Sequence, residues 1–202
     1  MLFKTRRRAI ITLTIALMIL LYFTRSFSVL IPFSITIIAL LLFLYIDNSF
    51  KFNFPERFYV YIFLMFIFGL IVGPGNPPFG LYYREIFFDK FLHFISPIMI
   101  SAIVFFILNK LKITLKWKLL MTVGLVFGIL GLFEIGEYLS DVWFDTLHQG
   151  VYLKDFISQL KVETLTDPLD DTMQDLIYGL MGSVTFVAFY SLKTYYLNRK
   201  KP

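Results

Sequence analysis

Residues 130 to 145 read LGLFEIGEYLSDVWFD, an apolar run whose last turns carry Glu134, Glu137, Asp141 and Asp145. At 100° per residue, with Glu134 as zero, the other three acids fall at about 300°, 340° and 20°, so all four share one narrow stripe. An ionised carboxylate near a bilayer centre costs about 2.5 to 3.5 kcal/mol on insertion scales. Such groups face a bundle interior, a water-filled cavity or a bound cation. The stripe therefore demands a partner elsewhere in the chain, and it points to an all-α, polytopic helical membrane protein with a polar interior.

The rest of the composition agrees. In 202 residues, 58% are hydrophobic and 16% charged, and the mean hydropathy is +0.74. A soluble domain does not have these proportions, whereas apolar runs long enough to cross about 30 Å of hydrocarbon do. There is no cysteine, which removes disulfides, thiolate metal sites and a cysteine nucleophile. The net charge of +5 is polarised along the topology, so it reads as membrane orientation and not as nucleic-acid binding.

Outward from the stripe, about six transmembrane helices are expected in one integral membrane domain, at 9–24, 27–46, 58–72, 88–108, 119–139 and 172–197. The first is short and flanked by Arg8 and Arg25, which snorkel to the interfaces; no small-x-small site follows it, so it reads as an uncleaved span. GPGNPP at 73–78 ends the third. Within the long loop after the fifth span, Val151, Leu153, Phe156, Ile157 and Leu160 approximate a helical apolar face, which predicts an interfacial helix over 151–162.

Six spans put both termini on one side. Of the 19 Lys and Arg residues, all but Arg25, Arg84, Lys90, Lys154 and Lys161 fall on that side, so by the positive-inside rule the N and C termini are cytoplasmic. Of the 14 acids, all but Asp47 and Glu56 fall on the other side. Acids contribute little to topology, so this asymmetry marks the outer face as the working face.

There, the ends of three spans bring Asp89 and His93, Glu134 to Asp145, and Asp171 with Asp175 to one depth. Asp89 and His93 are one turn apart, which is how a carboxylate orients an imidazole that serves as ligand or base. Asp171 followed by Gln174 resembles a capping box, but Asp175 lies a turn deeper. Capping cannot explain Glu134, Glu137 and Asp141 either, because the macrodipole disfavours negative charge at a helix C-terminus. Two solutions remain open: a divalent cation held by carboxylates and imidazole, or protons shared among the acids. Gly124, Gly128 and Gly131, and Gly179, Gly182 and Ser183, form small-residue faces that allow the last two spans to pack closely.

DKFLHF (Asp89 to Phe94), FEIGEYLSD (Phe133 to Asp141) and DDTMQDLIYGLMGS (Asp170 to Ser183) together resemble the YjdF-like family of bacterial and archaeal inner-membrane proteins, and more distantly the VanZ-like membrane proteins. The family's acid and histidine pattern falls on Asp89, His93, Glu134, Glu137, Asp141, Asp171, Thr172 and Asp175. The resemblance implies a multi-pass protein of the bacterial or archaeal cell membrane and sharpens the site without naming a reaction.

The expected function is a membrane-embedded, metal-dependent enzyme acting on a lipid-linked or envelope substrate. His93, Glu137 and Asp175 are the candidate catalytic groups. His93, Glu134, Glu137, Asp141, Asp171 and Asp175 are the candidate ligands of a divalent metal ion. The alternatives are a small proton- or cation-coupled transporter and a structural or accessory protein. In each case the lipid bilayer is a partner, and nucleic acid is not.

Overall fold

The computed structural model describes residues 8, 9, 11–16, 19, 30–72, 81–83, 86–144, 148–154 and 161–199. It divides into two compact units, Met1–Gly80 and Leu81–Pro202. Of the expected first span, 9–24, residues 9, 11–16 and 19 are helical, and the remainder lies outside the described residues.

In the first unit, α1 (Leu30–Ser49) is followed by α2 (Glu56–Phe66), which continues through a wider π-helical turn at Ile67–Val72. The loop between α1 and α2, FKFNFP, is half phenylalanine and is built around buried groups. Asp47 is 3% exposed; its carboxylate accepts the Phe54 N–H at 3.1 Å and the Tyr59 hydroxyl. Phe54 stacks on Phe43 at 4.6 Å, and Lys51 and Asn53 take left-handed backbone conformations, with φ of 51° and 53°, to make the turn.

The second unit holds α3 (Ile86–Leu108), α4 (Leu115–Phe144) and α5 (Pro168–Arg199). Among the described residues these supply 3 segments long and apolar enough to cross a membrane, Phe87–Leu108, Leu115–Phe144 and Pro168–Leu197. At 1.5 Å per residue, α4 and α5 run to roughly 45 Å, longer than a hydrocarbon core of about 30 Å. Both extend beyond the expected spans 119–139 and 172–197, because hydropathy fades where the polar ends begin while the backbone hydrogen bonds continue. The N-cap of α5 is Asp167, whose Oδ1 accepts the N–H groups of Leu169 at 2.9 Å and Asp170 at 3.0 Å, with Pro168 at the first helical position. The expectation of a cap at Asp171 is therefore corrected; its carboxylate is engaged elsewhere.

Residues expected to form an interfacial helix over 151–162 begin and end in strands. Here β1 (Val151–Lys154) pairs antiparallel with β2 (Lys161–Thr166), Val151 opposite Thr166 and Leu153 opposite Glu163. Residues 155–160 lie outside the described set. The apolar spacing is compatible with one helical face, but the described residues are rich in β-branched and aromatic types (Val151, Tyr152, Val162, Thr164, Thr166), which favour a pleated strand.

Each long helix of this unit buries one stripe. On α4 it is Thr122, Val126, Leu130 and Glu134; on α5 it is Asp171, Asp175, Gly179 and Ser183; on α3 it is Lys90, Pro97, Ser101 and Phe105. The four-residue spacing is the row that packs ridge into groove between helices. Close approach depends on α5: a Cβ on Gly182 would stand 2.2 Å from the Phe94 carbonyl oxygen, and one on Gly179 would stand 2.3 Å from Leu130 Cδ1. The expectation for α4 is corrected, since a Cβ on Gly124, Gly128 or Gly131 would meet nothing within 4 Å. Those glycines lie off the buried row, and Leu130 makes the contact instead. At the far end Phe105 closes the core against Tyr190, with ring centroids 4.3 Å apart.

Candidate functional site

The polar ends of the three stripes meet where α3 and α5 begin and α4 ends. Lys90, in the second turn of α3, is 3% exposed and extends its ammonium into the carboxylates. Nζ lies 3.0 Å from Asp89 Oδ2, 2.5 Å from Asp171 Oδ1 and 2.7 Å from Asp175 Oδ1. Three donors on one ammonium thus reach three carboxylates, which suits the compact, rotatable charge of lysine. A buried charge of this kind is tolerable only when paired and hydrogen-bonded.

The second oxygen of Asp171 accepts the Gly150 N–H at 2.8 Å, tying the chain just before β1 to the start of α5. Gly150 has a φ of 87°, a conformation that favours glycine. Beside it, Gln149 Nε2 donates to Thr172 Oγ1 at 3.0 Å.

His93 lies one turn after Asp89 and faces all three helices. Nε2 is 3.7 Å from Asp89 Oδ1, while Nδ1 is 3.7 Å from Glu134 Oε1 and 3.8 Å from Asp175 Oδ1. The imidazole is 12% exposed and these carboxylates between 2% and 15%, yet each separation is beyond a direct hydrogen bond. Ligand atoms of Asp89, His93 and Asp175 lie within 4.8 Å of one another. Phe133 meets the imidazole edge to face at 6.1 Å.

Glu134 joins this cluster from the last turns of α4 and is 4% exposed. It also lines a cavity of about 350 Å³ between α4 and α5, with Tyr138, Gln149 and Thr172 as the other polar groups. Glu137, half-buried, stands within electrostatic reach of Glu134, Asp89 and Asp175. Asp141 stands apart: its two oxygens accept the N–H groups of His148 at 2.8 Å and Gln149 at 2.9 Å, so it organises the exit from α4. Asp145 lies outside the described residues. His148, in the same connection, is held below the ordinary histidine pKa by burial, against the opposing pull of Asp141.

The group that sequence reasoning missed is Lys90. It counted only as one of the few cations on the outer side, although a lysine beside Asp89 at the head of an apolar helix is itself a candidate internal counter-ion. Burial and partner, neither visible in one dimension, separate it from an interfacial lysine.

A family model described as "Predicted membrane protein (DUF2238)" matches residues 6–195. No curated protein and no solved structure matches the chain.

Proposed function

Since the chain belongs to this DUF2238 family of predicted membrane proteins, we propose that the cluster is the site of a metal-dependent enzyme acting on a lipid-linked or other envelope component. The protein would cross a bacterial or archaeal membrane about six times, with both termini in the cytoplasm and the cluster at the outer face. The YjdF-like and, more distantly, VanZ-like likeness belongs to this reading, since Asp89, His93, Glu134, Glu137, Asp171 and Asp175 of its motifs fall in or beside the cluster.

One observation carries the metal assignment. His93 is buried against carboxylates of α3, α4 and α5 at 3.7 to 3.8 Å, too far for hydrogen bonds. One ligand atom from each of Asp89, His93 and Asp175 lies within 4.8 Å of the other two, a spacing that one divalent cation bound to a single imidazole nitrogen would gather. Asp89, His93 and Asp175 would hold the divalent cation. Lys90 would keep Asp171 and the inner edge of Asp175 neutralised, so the ion would not have to balance every acid. The cation would polarise an oxygen of the substrate, and Glu134, with Glu137 a turn away, would accept the proton of the attacking hydroxyl or water.

A second reading draws on a different feature of the same ring. One imidazole nitrogen faces Asp89 and the other faces Glu134 and Asp175, an arrangement suited to passing a proton through His93 between helices. That would fit a proton-coupled carrier with Lys90 as its permanent counter-ion. Metal analysis of the purified protein by mass spectrometry, beside His93→Ala and Asp175→Asn variants that retain their helical circular dichroism, separates the two. A stoichiometric divalent ion, lost in both variants, is expected. A folded native protein without one would overturn the metal reading in favour of the proton path, which pH-gradient-driven uptake in proteoliposomes would then test.

A further inference from the structure

The cavity between α4 and α5 is bounded by Gly131, Glu134, Ile135, Tyr138, Thr172 and Leu176. Its rim is apolar and outward: Ile135 is 54% and Tyr138 52% exposed on a helix long enough to cross a membrane. Its floor is the Glu134 carboxylate, shared with the His93 cluster, and the Thr172 hydroxyl paired with Gln149. Residue 131 is glycine, and a Cβ there would meet nothing within 4 Å, so a small side chain at that position faces the groove without displacing a neighbour.

We infer that this groove receives the polar head of a bilayer amphiphile whose head donates hydrogen bonds and bears no negative charge, such as the free hydroxyl of a diacylglycerol. The inference rests on the proposed site, because it delivers that hydroxyl to Glu134, the group assigned to accept a proton. Three features select this occupant. The volume, about 350 Å³, is at the scale of a small-molecule site of roughly 300 to 1,000 Å³. The charged group among its described lining residues is the Glu134 carboxylate, with no described cation beside it in the groove, so it accepts a donated hydrogen bond and an anionic head would meet repulsion in a low-dielectric setting. Lastly, the apolar rim continues onto the exposed face of α4, which suits acyl chains remaining in the bilayer.

The chain contains no cysteine, which allows a background-free test. Gly131→Cys places a thiol in the groove, and Gly136→Cys places one at a position that is also open but outside its lining. The full-length variants would be reconstituted in phosphatidylcholine vesicles with chelator present and labelled with N-ethylmaleimide, with and without dioleoylglycerol or dioleoylphosphatidic acid. At a lipid level about ten times its Kd, dioleoylglycerol is expected to slow labelling of Gly131→Cys roughly tenfold. Gly136→Cys and the phosphatidic acid arm should be unchanged. No protection at Gly131, equal protection at Gly136, or equal protection by phosphatidic acid would overturn the inference. Because the readout needs neither ion nor turnover, its failure is distinct from failure of the metal reading, which the metal content reports.

Discussion

The ammonium of Lys90 on α3 lies 2.7 Å from Oδ1 of Asp175 on α5, across 85 residues of chain. With Asp89 and Asp171 completing its contacts, this pair joins the two helices at the point where the candidate site begins.

Breaking it from one side should be far worse than replacing both sides. Lys90→Met leaves the carboxylates of Asp89, Asp171 and Asp175 buried together, and removing one partner of a buried ion pair costs about 3 to 5 kcal/mol. A large fall in the detergent unfolding midpoint is expected for Lys90→Met, with partial recovery in Lys90→Met/Asp171→Asn. Equal midpoints for Lys90→Met and the native protein would show that the ammonium is not a structural counter-ion.

Helix approach at Gly182 should tolerate nothing larger. A Cβ there would sit 2.2 Å from a backbone oxygen, that of Phe94, whereas at Gly179 the obstacle is the tip of the Leu130 side chain at 2.3 Å. Backbone cannot turn aside, so Gly182→Ala is expected to destabilise by about 1 to 3 kcal/mol, the usual range for overpacking, and Gly179→Ala by less. Chemical unfolding of both variants measures the order, and the reverse order would contradict the packing described.

Asp141 should prove structural. Its carboxylate accepts two backbone N–H groups, from His148 and Gln149, and each hydrogen bond to a charged group is worth about 1.5 to 3 kcal/mol. Asp141→Ala is therefore expected to lower stability while leaving the metal content unchanged. Loss of the ion in a folded Asp141→Ala protein would instead return Asp141 to the ligand set.

Acid should weaken the connection after α4 through His148. Burial holds its folded pKa below the ordinary 6.5, so the unfolded chain binds the proton more readily than the folded one. The contribution of neutral His148 is complete above pH 6.5 and is lost as pH falls from there through the folded pKa. His148→Gln should flatten that part of the stability profile relative to the native protein; identical slopes would mean that the histidine titrates as it does in water.

How much of this was legible in one dimension depends on the element. The polar ends of α3, α4 and α5 were readable because Asp89, His93, Glu134 and Asp175 interrupt otherwise apolar helices, and hydrocarbon makes such interruptions expensive enough to carry meaning. The strands at Val151–Lys154 and Lys161–Thr166 were not, since short apolar spacings fit a helix and a strand alike and the pairing partner decides between them. The spacing of Asp171 and Gln174 fits a capping box as well as it fits a site residue, and only the structure shows Asp167 with the same chemistry at the true boundary, leaving Asp171 to bind Lys90 and Gly150.

By itself the sequence determined that this is a helical membrane protein whose last three helices carry acids at their polar ends, because hydropathy and helical periodicity are local properties that every window of the chain carries. Only the tertiary structure decided which charge answers which. Lys90 meets Asp171 and Asp175, Glu134 turns toward both His93 and the groove, and Asp141 turns to the backbone. Coulomb and hydrogen-bond energies depend on separations in space, and the helix packing at Gly179 and Gly182 sets those separations.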